Sequence, residues 1–431
     1  DVCSSDLLKR LTKELEGPSS SHSMAAPSRA TQTRRWWMVG SAIALGSAAT
    51  TALVMPTMRR RVATPRILPI DSSPGFKEGP VFSPTGDRIA YCFVPEGSLR
   101  GAILVRQVGL GTSVRISGAG ASDSWPVWSP DGTYIAFRRD GRDAGYYLIP
   151  SLGGGETKIA EAGPRPTLMG GNNLTWAPDG KWLAFAEGTS SSQEGGLFAI
   201  THPSRERRKL ADGAAFLALP AISPDGKRIA YLRGTSYQSH DLYVQAVDGG
   251  TPYRVTKDHR WIAGLTWTPD SRWIIFNTGK VPCDAPAGGD CNSYDATNTV
   301  LRLVRAVPGA TPIDLTRATH RARGSTNWPR VAPFVQDRGR LIFFTFSARY
   351  PYGFVKAGPN PQIWMAAVDL GKAEASPTED PSYAPFWMTA QQPTENNHLG
   401  TWTQDVACVT DDQCPGEFQC IGGQCVPRTP G

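Results

Sequence analysis

The sequence predicts an all-β fold assembled from repeated sheets, and three observations carry that prediction. A four-residue turn recurs as Ser83-Pro84-Thr85-Gly86, Ser129-Pro130-Asp131-Gly132, Ala177-Pro178-Asp179-Gly180, Ser223-Pro224-Asp225-Gly226 and Thr268-Pro269-Asp270-Ser271. Its prolines are 46, 48, 46 and 45 residues apart, a fixed period that marks a repeat architecture. Each copy sits between an aromatic or apolar pair and a run such as Tyr134-Ile135-Ala136-Phe137, which alternates with the period of a half-buried strand. Gly and Pro number 45 and 36 of 431 residues, just under a fifth, which favours short strands and turns over long helices.

The turn explains itself. Ser at the first position, Pro at the second, Asp at the third and Gly at the fourth suit a type I turn, because proline pre-sets φ. The repeated Pro84, Pro130, Pro178, Pro224 and Pro269, with Asp131, Asp179, Asp225 and Asp270, are therefore read as structural, although repeated carboxylates invite thoughts of calcium or paired acids. A second half recurs as well, at 102–117, 145–160, 196–210, 241–256, 299–316 and 362–377. Asp241-Leu-Tyr-Val-Gln-Ala-Val-Asp-Gly-Gly250 and Gln362-Ile-Trp-Met-Ala-Ala-Val-Asp-Leu-Gly371 both read as strand, Gly-containing turn, strand. Six second halves match five turn motifs and one degenerate first half, Asn327-Trp328-Pro329 through Phe343. The count gives six blades of about four strands.

Aromatic-Ser-Pro-Asp-Gly followed by Ile-Ala-Phe or Ile-Ala-Tyr, then Asp-Leu-Tyr-Val and Asp-Gly-Gly, resembles the TolB-type β-propeller repeat, a relative of the WD repeat. The resemblance covers residues 66–390 and rests on five copies in register. It implies a six-bladed propeller around a channel. Thr64-Pro65-Arg66-Ile67-Leu68-Pro69 resembles an outer strand and Ser382-Tyr383-Ala384-Pro385-Phe386-Trp387 an opening strand, so either end is placed to close the ring.

The net charge of +7 says little about the propeller. Residues 1–66 hold ten Lys or Arg against four acids, which is +6 and leaves +1 for the rest. A nucleic-acid binder needs that excess on the folded domain, so none is expected. Residues 1–33 are read as a poorly ordered N-terminal region, of which 1–7 resemble translated sequencing-library adapter. Trp36 to Met58 runs for 23 residues without charge between Arg34-Arg35 and Arg59-Arg60-Arg61, long enough to cross a bilayer. Residues 34–58 are thus expected to anchor the chain in the inner membrane or to export it, since Thr33-Arg34-Arg35-Trp36-Trp37-Met38 also resembles a twin-arginine signal. A basic connector, 59–65, leads to the propeller.

Two cysteine groups point to an oxidising compartment. The fifth unit carries an insertion, 277–298, in which Cys283 and Cys291 are placed to close a disulfide. Beyond a polar linker at 391–407, Cys408, Cys414, Cys420 and Cys425 fall in a module at 408–427 too small for a hydrophobic core, so two disulfides are expected to hold it. The spacing lacks a Cys-x2-Cys pair and the span has no His, which argues against zinc. Cys92 is left over as a small buried apolar residue.

No cofactor and no catalytic constellation is legible. Gly-x-Ser-x-Gly, His-Glu-x-x-His and Walker patterns are missing, and the six His are scattered. His259, Arg260 and Trp261, with His320 and Arg321, fall in inter-blade loops where a propeller presents a binding face, and are read as solvated loop residues or, alternatively, as ligand contacts. The expected function is non-catalytic binding of a protein, peptide or envelope component outside the cytoplasm. The alternatives are the extracytoplasmic sensor of a truncated kinase or transcription regulator, and a propeller lyase or hydrolase. Function is expected in what differs between blades, including the degenerate sixth unit.

Overall fold

A computed structural model describes residues 71, 73–108, 112–118, 120, 122–162, 174–187, 196–212, 216–236, 239–279, 299–319, 325–351, 360–388, 391–397, 400–403, 418–421 and 424–427. Six antiparallel sheets of four strands each follow one another along the chain, and within every sheet the strands lie in sequence order. The inner strands are Gly75–Phe82, Ser122–Trp128, Leu174–Trp176, Phe216–Ile222, Ile262–Trp267 and Thr326–Val331. Residues of all six surround one central cavity, so the sheets are the blades of a propeller.

Strand alternation builds the packing between blades. Ala90, Cys92, Ile103 and Val105 of blade one meet Ile135, Phe137, Tyr147 and Ile149 of blade two. The opposite face of blade two, with Ala136, Tyr146 and Leu148, meets Leu183, Phe185, Phe198 and Ile200 of blade three. Side chains one residue apart therefore serve different junctions. Each buried aromatic or branched side chain contributes about 1.5–3 kcal/mol. Cys92 is buried as expected and donates to the Asp123 carbonyl at 3.1 Å.

The turns close as predicted. Gly86, Gly132, Gly180, Gly226 and Ser271 donate to the carbonyls three residues earlier at 2.8–2.9 Å. Ser129 donates to the Asp131 carboxylate, which also accepts from Thr133 N at 3.0 Å, while Tyr134 N donates to Ser129 Oγ at 2.9 Å. Asp225 and Asp270 repeat this pattern with Lys227 N and Arg272 N, each at 3.0 Å. The repeated carboxylates are thus occupied within their own turns. Successive turns also touch: a Cβ on Gly132 would meet Pro84 at 3.6 Å, one on Gly180 would meet Pro130 at 3.8 Å, and one on Gly226 would meet Pro178 at 3.7 Å.

Blade six departs from the repeat in three ways. Its first turn is replaced by a 3-10 turn at Asp337–Gly339. Its third strand, Gln362–Asp369, leads into a helix, Leu370–Ala375, where the sequence suggested a Gly turn and a strand. The reason is local: Asp369 caps the helix by accepting from Lys372 N at 3.0 Å, and Leu370 and Ala373 are buried. The outer strand comes later, at Phe386–Trp387, paired to Met365 and Trp364, so this segment completes blade six rather than opening another sheet.

The outer face of blade six has its own cover. Leu341, Phe343, Met365 and Ala367 pack with Met388, Tyr383 and Trp402 instead of a neighbouring blade. Gln391 bonds Ile363 N at 2.6 Å and Ile363 O at 2.8 Å, and Trp402 Nε1 donates to the Arg330 carbonyl at 2.8 Å. In its described residues, then, the stretch read as a linker forms a strap over blade six.

Other expectations fall outside the described residues: the segments 1–33, 34–58 and 59–65, the candidate closing strand 64–69, and Cys283, Cys291, Cys408 and Cys414. The module contributes one described hairpin, Phe418–Ile421 with Gln424–Pro427, in which Cys420 and Cys425 are opposite in backbone register. No helix among the described residues is long and apolar enough to cross a membrane.

Candidate ligand channel

Four of the six inner strands share a device that the repeat period alone conceals. In each the ladder skips two residues: register breaks fall between Glu78 and Val81, Ser124 and Val127, Ala218 and Ala221, and Asn327 and Arg330. The residues skipped are Gly79-Pro80, Trp125-Pro126, Leu219-Pro220 and Trp328-Pro329. Proline has no N–H for a ladder, so a β-bulge is where an inner strand tolerates it. The residue before it takes a left-handed backbone, with φ of 59° at Gly79, 57° at Trp125, 51° at Leu219 and 55° at Trp328. A bulge re-aims its side chain, and these four positions all line the central cavity.

The cavity measures about 510 Å³, within the range of small-ligand sites. Around it, bulky residues occupy the bulge in blades two, four and six (Trp125, Leu219, Trp328) and Gly79 occupies it in blade one, while in blade five the repeat-equivalent Gly264 pairs with Asn277 and also lines the cavity. The blade-three equivalent, Asn173, lies outside the described residues. The small residues make room for the large ones. A Cβ on Gly79 would stand 3.2 Å from the Trp125 ring, and one on Gly264 would stand 3.3 Å from the Trp328 ring. Each indole therefore lies over the glycine of the preceding blade.

Two positions further along, the wall carries Val81, Val127, Thr175 and Ala221, but Arg330 in blade six. It is the charged residue among the described lining residues. Arg330 is half-buried at the wall, whereas the buried arginines elsewhere are neutralised: Arg139 pairs with Asp123 at 2.7 Å and Glu156 at 2.7 Å, and Arg302 pairs with Asp314 at 2.8 Å. Enclosure by protein pushes the Arg330 guanidinium below its ordinary pKa, and no described carboxylate offsets that cost. Its backbone is fixed by the Trp402 indole, and Thr401 beside that indole also lines the cavity.

The loop residues singled out from sequence have other roles. Trp261 is buried in the core between blades four and five, so its ring is not offered to a partner, contrary to expectation. The sequence placed it in a loop, but the chain there turns inward to begin the inner strand at Ile262. Arg260 pairs with Asp258 at 3.2 Å. His259, with φ of 48°, stands 3.6 Å from Asp241 and 3.1 Å from Arg254. His320 and Arg321 lie outside the described residues. The described residues bring none of these to the channel. Trp125, Leu219, Trp328 and Arg330 are missed by the sequence reading, although the residue-Pro pair at 79–80, 125–126, 219–220 and 328–329, compared column by column, carries that signal.

No family model matches the chain. An uncharacterised protein of Agrobacterium fabrum is 25% identical over 159 residues, which cover 36% of this chain and 50% of the relative. The chain thus spans half the length of the curated relative it matches. Among solved structures, a TolB-type protein of Agrobacterium tumefaciens is 19% identical, with a TM-score of 0.43 over 57% of this chain and 83% of that one. An oligogalacturonate lyase in complex with manganese is 12% identical, with a TM-score of 0.45 over 70% of this chain and 75% of the other. The fold rests on the blades themselves rather than on these overlaps. By its repeated turn and its six four-stranded sheets, the chain is a six-bladed β-propeller whose repeat resembles the TolB type.

Proposed function

We propose that the chain is a non-catalytic binding propeller of the bacterial cell envelope, which receives a peptide segment of a protein partner in its central channel. The observation that carries this reading is the channel wall: residues of all six inner strands enclose about 510 Å³ with two indoles and a leucine held on bulges. Strained backbone costs about 1–3 kcal/mol at each such residue and persists where surrounding structure enforces it, commonly at binding sites. The described wall carries no Asp, Glu or His, which leaves it without a general base. The cysteine-rich C-terminal sequence supports an oxidising compartment, and residues 34–58 supply the route there, as export signal or anchor.

The test replaces Trp125 with a photoreactive phenylalanine analogue and irradiates the protein in an envelope fraction. A specific adduct is expected there, and none from the same analogue at Val114, an exposed outer-strand residue. Adducts at Val114 alone would overturn the channel as the binding place.

A further inference from the structure

Arg330 has the hallmarks of half an ion pair. It belongs to the one blade whose sequence leaves the repeat, it replaces Val, Thr or Ala at a wall position, and no described carboxylate pairs with it. Even a half-buried charge with no described partner carries a desolvation cost, and the buried arginines elsewhere in this chain are paired. The strap adds a dedicated bond from Trp402 to the Arg330 backbone, which fixes where that side chain starts. Most of the remaining side chains on the wall are apolar or aromatic, with Trp125, Leu219 and Trp328 prominent, beside Thr175 and Thr401.

We infer that the channel selects a carboxylate carried on an apolar segment, with Arg330 as the specificity-determining counter-charge and the two indoles as the apolar clamp. This rests on the channel reading above. A guanidinium recognises a carboxylate by two parallel hydrogen bonds, and a low-dielectric wall strengthens them. The carboxylate has two possible sources on a peptide: its free C-terminus, or an Asp or Glu side chain.

A mixed heptapeptide library, made with free C-termini and again as C-terminal amides, each with and without Asp and Glu, is passed over the immobilised full chain. Arg330→Gln and the channel-filling Ala221→Trp are run beside it. Apolar carboxylate peptides are expected to be retained, with affinity reduced about 30-fold by Arg330→Gln and abolished by Ala221→Trp. Loss on amidation identifies the C-terminus as the source, and loss on removing Asp and Glu identifies the side chain. Because Gln removes an unpaired charge, the urea midpoint of Arg330→Gln should equal or exceed that of the parent, which excludes misfolding as the cause. Retention that Ala221→Trp abolishes but Arg330→Gln leaves unchanged overturns this inference and spares the channel. Retention insensitive to both variants, or no retention at all, overturns both.

Discussion

Trp328 of blade six lies over Gly264 of blade five, so closely that a Cβ on the glycine would sit 3.3 Å from the indole and 3.4 Å from the Trp328 Cα. Gly264→Val is therefore expected to push the ring into the channel and to cost about 1–3 kcal/mol by overpacking. Urea denaturation measures the cost. An unchanged midpoint would show that the ring has room to move.

The left-handed backbone at Trp125 inverts the usual order of small residues. Gly normally destabilises a strand relative to Ala, but at φ of 57° it escapes the Cβ penalty. Trp125→Gly should be more stable than Trp125→Ala by about 1 kcal/mol. The reverse order in urea titrations would place the strain elsewhere.

Acid should loosen the turns. The Ser129 hydroxyl and the Thr133 amide hold the Asp131 carboxyl below its ordinary value of 3.8. Burial opposes the same shift at Asp225, yet the Ser223 hydroxyl and the Lys227 amide still bring it lower. A depressed folded-state pKa stabilises above the unfolded value and loses that stability as pH falls through the folded one. The urea midpoint should therefore drop as the pH falls below about 4, and less steeply in Asp131→Asn. Equal slopes would remove the turn carboxylates from the account.

Much of this was legible in the sequence because a blade is a local object. Turn chemistry and strand alternation are written in neighbouring residues, so five turns and six sheets could be read from residues alone. The channel wall was less visible. A bulge breaks the period of two, and whether Leu219 or Trp125 faces inward depends on a skipped ladder position rather than on alternation. The helix at Leu370–Ala375 was misread because the match to Asp241–Gly250 held up to Asp369, where a capping carboxylate diverted the chain. The strap looked like linker because its polar residues, Gln391 among them, spend their hydrogen bonds on the blade backbone.

That strap carries its own prediction. Trp402 meets Phe334 edge-on with ring centroids 5.8 Å apart and bonds the Arg330 carbonyl. Trp402→Ala should cost about 2–3 kcal/mol, below the range for a fully buried aromatic, and should expose the blade-six face to limited proteolysis. A variant as stable and as resistant as the parent would make the strap incidental.

The central claim is that binding happens inside the ring. A retained peptide carrying a photoreactive residue, cross-linked to the full chain and mapped by mass spectrometry, tests it most directly. Labels are predicted on inner-strand residues such as Trp125, Leu219 and Trp328. Labels confined to outer strands and peripheral loops would contradict it.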